Sequence, residues 1–208
     1  MIIKHLAVLA FLSLYTNAFA TEYLSAGNSK SFISQLEKIT TDFPEELIQV
    51  DIKGSRNKSV YPAGDLYILL AVGKKDQSMT QTEYQKLWGI MNYLSDSGFR
   101  VMMNVKAKVA HLEAAIDSVD TSLIMWSSHG NKHSFYDYNS KPVPYDIFKN
   151  AHEGLYQFVL SSCHGRLALN ANYSVPDSIK TWAWKGLTNS TEFISFLLSD
   201  SWSAKKKK

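Results

Sequence analysis

The sequence has 208 residues, of which 45% are hydrophobic and 12% aromatic, so it can fill the core of one ordinary domain and is not a wholly disordered chain. Lys4 and the four lysines at 205–208 are five of the 22 basic residues, so 17 basic residues remain against 19 acidic ones. This near-neutral body excludes the basic surface that is typical of nucleic-acid-binding proteins.

The first twenty residues have the three parts of a secretory signal peptide. Lys4 and His5 precede an apolar run over residues 6–15, and Ala18-Phe19-Ala20 supplies a small-residue cleavage site. That run is too short to cross a bilayer, and no later run is long enough. We therefore expect residues 1–20 to be removed on export to the periplasm or the extracellular space, leaving a protein with no stable membrane insertion. The lysines at 205–208 are expected to form a solvated tail.

Residues 21–64 are predicted to form an N-terminal lead-in segment ahead of the main domain at 65–204. Apolar side chains at helical spacing, Phe32, Leu36 and Ile39, predict a helix over residues 31–43. Residues 47–52 alternate as a short strand does. Residues 53–64 are rich in Gly, Ser, Asn and Lys, which indicates an exposed loop.

From Asp65 onward, predicted strands alternate with predicted helices. Residues 66–72 (LYILLAV) are continuously apolar, as expected for a strand covered on both faces. Thr80 and Glu83 form a capping box that opens a helix, and Gly98 ends it. The later elements are expected to be a strand at 99–105, a helix with apolar positions from 109 to 119, a strand at 123–128, a short helix near 145–151, strands at 156–162 and 180–185, and a final helix capped by residues 189–192. This alternation predicts a three-layer α/β/α sandwich with a mainly parallel sheet of about five strands.

Two strand ends carry the residue types that covalent catalysis needs. The strand at 123–128 runs into His129-Gly130, and the strand at 156–162 runs into Cys163. Function in an open parallel sheet gathers beyond the carboxyl ends of its strands. If these strands are neighbours, His129 and Cys163 lie side by side, as a thiol nucleophile and its base must. Gly130 lets the chain approach a substrate closely, and its N–H group can join that of Cys163 in an oxyanion hole.

Cys163 is the only cysteine, so an internal disulfide is excluded. It remains a buried thiol, an intermolecular bridge or a reactive nucleophile. The small residues Ser161 and Ser162 precede Cys163, and Gly165 follows soon after. This setting favours a reactive nucleophile over a purely structural cysteine.

The segments 125–130 (MWSSHG) and 159–165 (VLSSCHG) resemble those of the caspase-like cysteine peptidases, which include caspases, legumains, gingipains and clostripain. The resemblance covers about residues 65–165. It implies a caspase-like fold in which His129 is the catalytic histidine, Cys163 the nucleophile and Gly130 part of the oxyanion hole. The predicted function is that of an exported cysteine endopeptidase that hydrolyses bonds of a peptide or protein substrate and uses no cofactor or metal.

Several alternatives stay open at this point. His133 is a second candidate base, although it lies within the loop, and His164 is expected to make a local or substrate contact. His111 and His152 are expected to be surface or capping residues. A zinc site built from His129, His133 and Cys163 has suitable ligand types but no fourth member at a fixed spacing. The competing function is a catalytically inactive, caspase-like exported binding module.

Overall fold

The computed structural model describes residues 21–24, 28–42, 47–50, 58–72 and 80–199. They form one seven-stranded sheet with the order β1-β2-β4-β3-β5-β6-β7. The strands are β1 Thr21–Leu24, β2 Leu47–Val50, β3 Gly64–Ala71, β4 Phe99–Asn104, β5 Thr121–Ser128, β6 Gln157–Ser161 and β7 Lys180–Ala183. The five strands from β4 to β7 in this order are all parallel, whereas β2 pairs antiparallel with β4 and parallel with β1.

Helices cover both faces of this sheet. They are α1 Ser29–Asp42, α2 Gln81–Asp96, α3 Val109–Asp117, α4 Gly165–Asn172 and α5 Ser190–Leu198, with short 3-10 helices at Lys58–Val60 and Ile147–Asn150. One core lies between the sheet and α1, α2 and α5, and a second lies between the sheet and α3 and α4. The protein is therefore a three-layer α/β/α sandwich built on a mainly parallel sheet, as the sequence predicts.

The apolar run of β3 shows why the alternation of strands and helices produces this architecture. Leu66, Ile68 and Leu70 face the core beneath α2, while Tyr67 and Leu69 face the core beneath α3. All five side chains are buried. A strand covered on both faces needs apolar residues at successive positions, which is the pattern that the sequence has at residues 66–72.

The predicted and observed elements differ in the lead-in segment and around two short helices. The lead-in segment contributes β1 and β2 to the same sheet as the main domain, and its α1 packs in one of the cores. Neither β1 nor α4 was predicted. The helix expected near residues 145–151 is the 3-10 helix at Ile147–Asn150. The expected signal peptide at 1–20 and the lysine tail at 205–208 lie outside the described residues. Within those residues, no helix is both long enough and apolar enough to span a bilayer.

Candidate active site

The loops that carry His129 and Cys163 leave the sheet side by side. β5 and β6 are parallel neighbours, and their last register pair joins Ser127 to Ser161. Each chain then continues for two residues, to His129 on one strand and to Cys163 on the other. The two residues therefore lie beyond the same edge of the sheet, on strands that are spaced about 4.8 Å apart. The expectation that these strands are parallel neighbours is confirmed.

The backbone of Gly130 lies directly against the turn that carries Cys163. A Cβ atom added to Gly130 would lie 2.0 Å from Ser162 Oγ and 3.3 Å from Cys163 O. It would also lie 3.0 Å from Ser134 O. These separations are tighter than ordinary van der Waals contact, so the two loops approach this closely only because the residue after His129 is a glycine.

Two backbone N–H groups at this junction have no acceptor among the described residues, namely those of Gly130 and Cys163. Cys163 also lies just before α4, whose N-cap is His164 in the left-handed conformation (φ 56°). The first N–H groups of α4 add no donor, because those of Gly165 and Arg166 already bond to the carbonyls of Ser162 and Trp184. The N–H groups of Gly130 and Cys163 are therefore the candidate donors for an anionic oxygen at this junction.

Short-range hydrogen bonds hold the loop that follows His129. The His129 carbonyl accepts from Tyr136 N at 3.1 Å. Asn131 Oδ1 accepts from His133 N at 2.7 Å and from Ser134 N at 3.0 Å. These bonds close the chain into a compact turn, so hydrogen bonds hold the backbone that carries the exposed His129 side chain.

Tyr173, at the end of α4, joins that loop to the helix after the thiol. Its hydroxyl donates to Val143 O at 2.9 Å and shares a 2.9 Å hydrogen bond with Ser134 Oγ. Its ring stacks on Phe135 with the centroids 4.8 Å apart. Burial raises the pKa of Tyr173, so the hydroxyl stays protonated and able to donate at neutral pH. Polar and aromatic contacts therefore hold the two sides of the site together.

Residues 184–189, between β7 and α5, cover another side of the thiol and are called the 184–189 loop below. Cys163 is half-buried, and its Sγ donates to Thr188 O at 3.6 Å. The neighbouring His164 N donates to Gly186 O at 2.7 Å. The 184–189 loop thus contacts both the nucleophile candidate and the residue after it. No local sequence pattern predicts this contact, because Thr188 lies 25 residues after Cys163.

The rival histidines at the site contact segments that are distant in sequence. His133 is exposed, and its backbone carbonyl accepts from Asn172 Nδ2 at 3.1 Å. His164 Nδ1 lies 3.2 Å from Lys185 O, 21 residues away, and its contact with a substrate stays a prediction. His129 follows β5 directly, as Cys163 follows β6, whereas His133 lies further along the loop.

The two remaining histidine candidates bind neighbouring backbone. His111 Nδ1 accepts from Lys108 N at 2.9 Å and so caps the first turn of α3. His152 Nδ1 accepts from Gly154 N at 3.0 Å, although it follows a 3-10 helix and does not lie within one. The capping role is therefore confirmed for His111, whose side chain is buried and not at the surface.

The described residues contain no group of three or more His, Cys, Asp or Glu side chains that is placed to hold a metal ion. His129, His133 and Cys163 therefore do not form the zinc site considered from their residue types.

One buried polar atom at the junction was not predicted. Ser162 is fully buried, and its Oγ has no hydrogen-bond partner among the described residues. This hydroxyl is the atom nearest to the position that a Cβ of Gly130 would take. The sequence indicated only that small residues precede Cys163, which does not predict where the hydroxyl points.

No protein-family model matches this sequence, and no curated protein sequence is significantly similar to it. An activity can therefore be argued only from the residues themselves and from the geometry of the two strand-end loops.

Proposed function

We propose that this protein is an exported cysteine endopeptidase in which Cys163 is the nucleophile and His129 the general acid and base. The observation that carries the proposal is the packing of Gly130, the residue after His129, against Ser162 and Cys163 at the carboxyl edge of the sheet. The resemblance of these two segments to caspase-like peptidases supports the same assignment. The substrate is a peptide or protein, and the chemistry needs no cofactor.

The acylation step uses the thiol, the imidazole and the two backbone N–H groups. Cys163 Sγ gives its proton to His129 and attacks the carbonyl carbon of the scissile bond. The carbonyl electron pair moves onto oxygen, where the N–H groups of Gly130 and Cys163 stabilise it. When the C=O bond re-forms, the C–N bond breaks and the leaving amine takes the proton from His129. A thioester on Cys163 remains.

In the deacylation step water is the nucleophile and the Cys163 thiolate is the leaving group. His129 takes a proton from a water molecule, and the water oxygen attacks the thioester carbon. Collapse of this second tetrahedral intermediate breaks the C–S bond, releases the carboxylic acid and returns the proton to Sγ. The contact between Sγ and Thr188 O has to be released during the cycle, because that bond uses the thiol proton.

The direct test is cleavage of a peptide library by the wild-type protein and by single variants. Cys163→Ala should abolish cleavage while changing the midpoint of thermal unfolding by no more than a few degrees, because it removes one half-buried sulfur atom. His129→Ala should lower kcat/KM by about 10²-fold or more, because a positioned general acid–base contributes that much.

His133→Ala is the matched control, because it removes an exposed imidazole from the same loop. It should leave cleavage within about twofold of wild type, since surface changes away from the chemistry have small effects. Iodoacetamide labelling of Cys163 at neutral pH should be slower in His129→Ala and unchanged in His133→Ala. Equal labelling rates in all three proteins would contradict the dyad. Slower labelling in His129→Ala, with no peptide cleaved by the wild type, would favour the binding module.

A further inference from the structure

The carboxylate of Glu83 joins the first turns of two helices that are far apart in sequence. In α2, Glu83 Oε2 accepts from Thr80 N at 2.8 Å and from Thr80 Oγ1 at 2.9 Å. In α5, Ser190 Oγ donates to Glu83 Oε1 at 2.6 Å, and Thr191 Oγ1 lies 3.3 Å from the same oxygen. Both oxygens of one carboxylate are therefore in use, and one of them reaches 107 residues along the chain.

Glu83 is ionised, as an acceptor of four hydrogen bonds should be. Partial burial by itself would raise the pKa of Glu83, but hydrogen bonds from Ser190, Thr80 and Thr191 outweigh it and lower the pKa. The group is therefore a carboxylate at neutral pH and accepts from all of these donors. Hydrogen bonds to an ionised acceptor are stronger than those between neutral groups.

The helix that Glu83 holds begins where the 184–189 loop ends. Asn189 is the N-cap of α5, and its side chain accepts from Glu192 N at 2.9 Å. The residue before it is Thr188, whose carbonyl accepts from Cys163 Sγ. Only one residue, Asn189, separates Thr188 from Ser190, which Glu83 binds.

We infer that Glu83 is a positioning residue for the Cys163 thiol, acting through Ser190 and the start of α5 on the carbonyl of Thr188. Its carboxylate fixes the chain between Thr188 and Ser190, so that the carbonyl stays against Sγ and the thiol keeps one orientation beside the strand edge. The kinetic part of this inference rests on the proposed function, whereas its effect on the thiol itself does not.

Packing alone does not supply this restraint. Buried side chains of α2 and α5, among them Leu87, Met91, Phe193 and Leu197, share one core, and they hold the helix bodies together. The first half of the 184–189 loop is held by other bonds, since Trp184 O and Gly186 O accept from Arg166 N and His164 N. Its second half is open to solvent, because Asn189 is exposed and Leu187 is 76% exposed. Loss of the carboxylate therefore releases the loop end while the helices stay packed.

The experiment measures the iodoacetamide labelling rate of Cys163 together with kcat and KM for peptide cleavage. In Glu83→Ala the labelling rate should rise about threefold or more, because the released loop covers the half-buried thiol less well. In the same variant kcat should fall about tenfold with KM within about twofold, because the thiol, although its bond to Thr188 O is released in each cycle, no longer starts from one fixed orientation, while the substrate surface is unchanged. Ser190→Ala should shift both quantities in the same direction by less, and Glu83→Gln should restore part of each.

Asp65→Asn is the matched control. It breaks an ion pair at the amino end of β3, whereas Cys163 lies beyond the carboxyl ends of the strands. The substitution therefore lowers stability without contacting the 184–189 loop. Its labelling rate and kcat should match those of the wild type at temperatures where both proteins are folded. An equal rise in labelling in Asp65→Asn would show that Glu83 acts only through general stability and would overturn the inference.

The labelling arm also separates this inference from the proposed function. Unchanged labelling in both Glu83→Ala and Ser190→Ala would overturn the positioning role even if the enzyme cleaves peptides normally. Faster labelling in both variants, with no cleavage of any peptide by the wild type, would uphold the positioning role while the proposed peptidase fails.

Discussion

Gly130 is the residue through which the histidine loop meets the cysteine loop. Its backbone occupies a gap bounded by the Ser162 side chain and by the carbonyls of Ser134 and Cys163. A polar atom buried without a partner costs free energy, and Ser162 Oγ is such an atom among the described residues. The close approach of the two loops therefore leaves the Ser162 hydroxyl in an unfavourable position.

We predict that Gly130→Ala lowers the free energy of unfolding by about 1–3 kcal/mol, because the new methyl group has to displace Ser162 Oγ and press on Ser134 O. Cleavage should fall as well, since the movement separates the two loops. In a Ser162→Ala background the cost of the same substitution should be about 1 kcal/mol smaller. Urea unfolding of the wild type, Gly130→Ala, Ser162→Ala and the double variant measures the cost of Gly130→Ala in both backgrounds.

Gly89→Ala is the control for this series. It lies on the exposed face of α2, where an added Cβ meets nothing within 4 Å. This change should be neutral or should stabilise the protein by up to about 1 kcal/mol. Identical costs for Gly130→Ala in the two backgrounds would show that Ser162 does not set the limit.

How much of the candidate site can be predicted depends on how far apart in sequence its interacting residues lie. The sequence suggests His129, Gly130 and Cys163 as candidates because each lies within two residues of a strand end, and strand ends are visible as breaks in apolar runs. Thr188 and Glu83 were not found, because hydrogen bonds over 25 and 107 residues leave no local pattern.

Helices and strands were predicted where the signal was periodic or strongly capped. The capping box of Thr80 and Glu83 and the Asn189 cap are both formed as expected. α4 was missed because it begins at a left-handed His164 that makes no side-chain cap, and it is only eight residues long. β1 was missed because a four-residue strand at the edge of a sheet is specified by its pairing with β2, not by its own sequence.

At the start of β3 and β4, one ion pair joins two central strands. Asp65 and Arg100 are register partners, and Arg100 Nε donates to Asp65 Oδ1 at 2.7 Å while Nη2 donates to Oδ2. The two side chains are only 5% and 12% exposed. Burial alone would lower the pKa of Arg100, but the hydrogen bonds and charge of Asp65, with Tyr67 and Asp120, raise it, so the guanidinium stays charged.

Asp65→Asn should therefore lower the free energy of unfolding by about 2–4 kcal/mol, because it leaves a largely buried guanidinium without its counter-charge. Thermal unfolding followed by circular dichroism measures the change. Lys180→Gln is the comparison, since this lysine is exposed on the edge strand β7 and its removal should cost less than about 1 kcal/mol. Equal costs for the two variants would mean that the ion pair contributes no more than a surface charge.

At the scale of the whole molecule, the sheet places the candidate active site and the first described strand far apart. β5 and β6 lie near one end of the strand order, whereas β1 forms the opposite edge. β1 begins at Thr21, which pairs with Leu47 in β2. The predicted cleavage after Ala20 would therefore leave every described strand whole, and the new amino terminus would lie away from the candidate active site.

We predict that the exported protein begins at Thr21, because Ala18 and Ala20 supply the small side chains that the cleavage site needs. Intact-mass measurement of the protein recovered outside the cytoplasm should give the mass of residues 21–208. Ala18→Arg, which places a large charged side chain in the cleavage site, should leave the precursor uncut. Ala7→Leu is the control, because it keeps the apolar run and should be processed normally. A wild-type mass that includes Met1 or Lys4 would contradict the predicted cleavage, and failure to recover the protein outside the cytoplasm would contradict the predicted export.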